Sequence, residues 1–106
     1  MPSQKLYIGS DHDVEYLGAK GRLSGEFIND AECSFEMKDA DGNVITSGPM
    51  PYDPGSDGDY RAVIGFLFTD DLEDGATVFV EVRFTSAGNN DFRRDEFSAT
   101  YRTGDD

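Results

Sequence analysis

The residues of this chain that could do chemistry are mostly carboxylates. Its 106 residues carry 22 Asp+Glu against 9 Lys+Arg and one His, a formal net charge of −13. Asp39, Asp41 and Asn43 alternate as calcium ligands do, and Asp53, Asp57 and Asp59 crowd a second loop. An EF-hand loop needs glycine at its sixth position and glutamate at its twelfth. Counted from Asp39, those places hold Val44 and Met50; counted from Asp53, they hold Gly58 and Ile64. Both clusters therefore read as turn chemistry, with a looser calcium site between loops as the alternative. Paired carboxylates could act as general acid and base, but so acidic a chain makes such pairs by chance. His12 sits in a turn, Ser10-Asp11-His12-Asp13, too tight to pre-organise a triad, and is read as a solvated turn residue. Phosphate-cradling glycine motifs are absent. The expectation is a protein that is not an enzyme, with no catalytic, cofactor-binding or metal-ligating residues.

The same balance argues against nucleic acid, which needs clustered Lys and Arg, and against an anionic membrane surface. No apolar run approaches the roughly 20 residues of a spanning helix. The opening residues lack the apolar core of a signal peptide, which argues against export by that route. A single cysteine, Cys33, rules out an internal disulfide framework. The excess charge reads either as solubility in a salty medium, where screening removes self-repulsion, or as an acidic face that meets a basic partner or divalent cations.

Whatever surface the chain presents must be held by strands. In 31–38, Ala31, Cys33, Phe35 and Met37 alternate with Glu32, Ser34, Glu36 and Lys38, the period of a strand with one buried face. Cys33 falls on the buried side. Asp41-Gly42 supplies a hairpin turn into a partner strand over 44–47, and the prolines at 49 and 51 stop it. A strand is expected over 60–68, with Tyr60, Ala62, Ile64, Phe66 and Phe68 on one face and Arg61, Val63, Gly65 and Leu67 on the other. Thr69 would then cap one helical turn ending at Gly75. A further strand runs over 76–85, where Val78, Val80, Val82 and Phe84 alternate with Thr77, Phe79, Glu81 and Arg83. The last spans 92–102, with Phe97, Ala99 and Tyr101 inward. Short runs at 5–9 and 14–17 bring the count to about seven. The expected fold is all-β: an immunoglobulin-like sandwich of about seven short antiparallel strands, one domain over 1–106, with tails at 1–4 and 103–106.

Apolar residues on polar faces are the more informative signal. Phe79 shares a face with Glu81 and Arg83, while Val63 and Leu67 lie opposite the core side of their strand. Either the strands are covered on both sides or these residues meet a partner. The expected contact surface joins the outer sides of 60–68 and 76–85 to the loop 53–59. Its candidate partner-binding residues are Tyr52, Asp57, Asp59, Arg61, Val63, Leu67 and Phe79.

The order of motifs is LYIGSDHDVEYLG, INDAECSFEMKDADGNVI, MPYDPGSDGDYRAVI, LEDGATVFVEVRFTSAG and a closing strand ending in YR. It resembles small immunoglobulin-like structural proteins of tailed bacteriophages, over nearly the whole chain. GSDGDYR, Gly55–Arg61, is its most specific part. The resemblance implies a virion component, most simply a capsid decoration or cement protein that binds the major capsid protein. A place at the neck or tail, contacts with other virion proteins and self-association are further implications. Such a protein would assemble in the host cytoplasm, need no cofactor and make many weak contacts in an array. A rival expectation is a calcium-assisted immunoglobulin-like adhesin module of a cell-surface protein.

Overall fold

A computed structural model describes residues 4–86 and 88–102 of the chain. Of the tails expected at 1–4 and 103–106, residues 1–3 and 103–106 lie outside the described residues, whereas Gln4 already belongs to a strand. Among the described residues seven strands form: β1 (Gln4–Tyr7), β2 (His12–Tyr16), β3 (Glu32–Asp39), β4 (Val44–Pro49), β5 (Tyr60–Ile64), β6 (Thr77–Ser86) and β7 (Asn89–Thr100). One helical turn, α1 (Phe66–Thr69), follows β5. The protein is all-β, with 54% of the described residues in strands or bridges. A five-stranded sheet of order β1-β7-β6-β3-β4 faces a two-stranded sheet, β2-β5.

Two-residue periodicity builds this arrangement. Cys33, Phe35 and Met37 of β3 and Val78, Val80, Val82 and Phe84 of β6 are all buried, as the alternation predicts. Their burial is worth about 1.5–3 kcal/mol for each large side chain. The two sheets meet through aromatic contacts. Phe84 stacks on Tyr16 of β2 at 4.8 Å between ring centroids and meets Tyr60 of β5 edge-on at 5.5 Å. His12 is not a solvated turn residue: it opens β2 and sits edge-on to Phe97 at 4.8 Å. That burial lowers its pKa below 6.5, against the pull of Asp13.

Several expectations need correction. The strands are not all antiparallel, because β1 runs parallel to β7, with Gln4 opposite Phe97 and Tyr7 opposite Thr100. A parallel pair needs a long crossover, and here the rest of the domain supplies it. Nor are all the strands short, since β6 has 10 residues and β7 has 12. The strand begun at Tyr60 stops at Ile64 rather than Phe68. Gly65, in extended conformation, leads into α1. Phe66 N–H donates to Asp11 Oδ1 at 2.8 Å, and the Thr69 hydroxyl donates to the Ser10 carbonyl at 2.9 Å. These two bonds hold the turn against the β1–β2 connection. Thr69 thus closes the turn instead of capping a later one. Phe66 and Phe68 leave the core face, and Tyr101, expected inward, is also exposed.

Candidate partner-binding surface

The GSDGDYR segment forms a closed loop between β4 and β5. Gly55 and Gly58 both have positive φ, 86° and 73°. Gly58 is buried against Ala19, whose N–H donates to the Gly58 carbonyl at 2.9 Å. A Cβ on Gly58 would lie 2.5 Å from the Ala19 carbonyl oxygen, so only glycine fits. Gly58 N–H donates to Asn29 Oδ1 at 2.9 Å, and the Ser56 hydroxyl donates to the Asp53 carbonyl at 2.7 Å. Tyr60 is fully buried; its hydroxyl donates to the Ile28 carbonyl at 2.7 Å and accepts from Ala31 N–H at 3.1 Å. Burial raises its pKa.

This loop decides where four of the seven candidate residues go. The Tyr52 hydroxyl donates to the Ser56 carbonyl, and its ring lies 5.8 Å from Tyr60. Asp59 accepts from Gly18 N–H at 2.9 Å. Arg61 is ringed by Glu15, by Asp53 at 3.1 Å and by Asp59 at 3.6 Å. Tyr52, Asp59 and Arg61 therefore hold the loop to its own domain, and Asp57 projects into solvent.

Val63, Leu67 and Phe79 do not form one surface. Phe79 is on the face of the large sheet that points away from β2-β5, partly covered by the Arg94 guanidinium 4.8 Å from its ring centroid. Beside it, Glu81 is only 3% exposed. Its carboxylate accepts from Arg94 at 2.7 and 2.9 Å and pairs with Lys38 Nζ at 2.9 Å. The hydrogen bonds from Lys38 and Arg94 hold its pKa below the ordinary value. Charged pairing rather than an apolar seam covers this face.

Val63 and Leu67 belong to a different region, and sequence reasoning missed its centre. Val63, Phe66, Leu67 and Phe68 are 57%, 51%, 70% and 46% exposed. Phe68 lies between two grooves. One, of about 420 Å³, runs between β4 and β5 and is lined by Val63, Thr46, Ser47 and Gly48, with Phe35 at its floor. The other is lined by Leu67, Leu72 and Ile45 together with Asp39, Asp41, Asp71 and Glu73, and by no basic side chain. The run of three large apolar residues, Phe66-Leu67-Phe68, was the available signal, had the strand been stopped at Gly65.

The acidic hairpin at 39–43 satisfies itself. Asp39 Oδ1 accepts from Asp41 and Asn43 N–H groups, both at 2.9 Å. These bonds, those from Asn43 first, lower its pKa. Among the described residues no group of three or more His, Cys, Asp or Glu side chains could hold a metal ion. Cys33 is buried against Met50, with its sulfur 3.9 Å from the thioether, and burial pushes its thiol up to about 11. No protein-family description, curated protein or solved structure matches the chain.

Proposed function

We propose that the chain is a capsid decoration protein of a tailed bacteriophage, binding the major capsid protein through the apolar residues of β5 and α1. One observation carries the reading. Phe66, Leu67 and Phe68 stand on a turn that Asp11 and Thr69 hold in place, so the fold keeps them in water. Large apolar groups clustered on a fixed surface mark a protein contact. The motif order from LYIGSDHD to the closing YR adds the resemblance to virion proteins.

An immunoglobulin-like arrangement belongs to the same proposal, and the strand order supports it. β3, β6 and β7 take the places of strands C, F and G, and β4 that of C′. β2 and β5 take those of B and E. The strand D that would flank E is reduced to a single bridge, Tyr52 to Tyr60.

The test is composition. Particles purified from an induced culture carrying the gene are expected to contain the chain in fixed ratio to the major capsid protein. Protein found in the lysate but not on the particles would refute the reading.

A further inference from the structure

We propose that the groove between β4 and β5 receives an extended segment of the partner protein as an added strand, one end of which carries Lys or Arg. This rests on the decoration reading and names the chemistry of its contact. Both walls of the groove are sheet edges. β4 ends the five-stranded sheet, and β5 pairs with β2 on its other side. Beyond the Tyr52–Tyr60 bridge and the bond from Arg61 N–H to the Pro51 carbonyl, no backbone bond among the described residues joins another segment to this edge of β5. Exposed edges are templates for strand pairing, and proteins guard them with charge, proline or bulges. β4, reading VITSGP, has no charged residue; its guards are the register shift near Ile45 and Pro49 at its end. Gly48 keeps the wall low, since a Cβ there would press within 3.2 Å of the Phe35 ring.

The charge around the groove selects the occupant. On the far side of Phe68 the second groove presents Asp39, Asp41, Asp71 and Glu73, while Arg61, which lines the first, is already paired with Glu15, Asp53 and Asp59. A second copy of this chain, with net charge −13, would be repelled there. An extended segment with alternate apolar residues fits instead. Its backbone would bond to the free edge of β4, its apolar side chains would rest on Val63 and Phe68, and a basic end would emerge over the acids.

A random ten-residue peptide library displayed on yeast tests this with the purified full chain. Enriched sequences are expected to alternate apolar and polar residues and to end in Lys or Arg. The best of them, made synthetically, should shift the NMR amide signals of Thr46, Ser47 and Ala62–Ile64. Val63→Lys should weaken it at least tenfold, and so should N-methylation of alternate peptide amides, which removes ladder donors. The proposal is overturned by no enrichment, by acidic or patternless winners, by shifts outside the groove, or by N-methylated peptide binding equally well. Particle composition is independent of these results. A chain found on particles whose groove selects nothing sinks this inference alone; a selective groove on a chain missing from particles sinks the decoration reading alone.

Discussion

Glu81 offers the sharpest perturbation. Glu81→Gln keeps the shape of the side chain and removes its charge from between Lys38 and Arg94. A hydrogen bond to a charged group contributes about 1.5–3 kcal/mol when well buried, and an exposed ion pair about 0–1. Glu81 is nearly closed off, but the Lys38 and Arg94 side chains are 23% and 54% exposed and can turn back to water. Glu36, directly opposite on β3, also repels the wild-type carboxylate, and the substitution relieves that. The expected loss is therefore at the low end, about 1–2 kcal/mol at pH 7, or a fall in Tm of roughly 5–15 °C for a domain this size. Its pH dependence is the stronger check. The folded pKa of Glu81 is held below its ordinary 4.5, so its contribution is present above that pH and is lost as pH falls through the folded value. Urea titrations of both proteins at several pH values should give a constant gap from neutrality to about pH 5 that closes in stronger acid. A variant as stable as wild type at pH 7, or a gap that does not change with pH, would refute the reasoning.

Other expectations follow from the same geometry. His12 is the sole imidazole, and burial beside Phe97 should bring its NMR titration midpoint below 6.5; protonating it favours unfolding, so its part in stability is lost as pH falls below that value. A midpoint above 6.5 would contradict the packing. Cys33, with its pKa near 11 rather than 9, should react with a disulfide reagent at pH 8 about a hundredfold more slowly than in urea, from thiolate fraction alone. Equal rates would place the thiol on the surface. Gly58→Ala should cost at least about 2 kcal/mol, because the backbone clash with Ala19 adds to the positive φ; Gly55→Ala, with open space around it, should cost only about 1. Equal costs in thermal melts would mean the Gly58–Ala19 contact is not formed.

The strands that carry the core were legible because burial on one face imposes alternation, as at Cys33–Phe35–Met37 and Val78–Val80–Val82–Phe84. The end of β5 was not legible. Residues 60–68 alternate acceptably throughout, and the stop comes from bonds reaching back to Ser10 and Asp11, more than 50 residues away. Glu81 shows a second gap. Alternation tells which way a side chain points, not whether Lys38 and Arg94 will close over it. The acidic loop at 53–59 was legible as a loop, but nothing local indicated that Gly58 would press on Ala19. Nor did anything local show that Asp59 and Arg61 bond within their own domain, while Asp57 stays exposed.

The side-by-side run of β1 and β7 has a mechanical meaning. The chain comes into β1 at Gln4, beside Phe97, and leaves β7 after Thr100, beside Tyr7. Tension applied through the flanking chain drags these two strands lengthwise past each other. All the rungs between them then bear load together, whereas a hairpin pulled from its open end peels rung by rung. Stretched in an optical trap, the domain should hold its length and then give way abruptly.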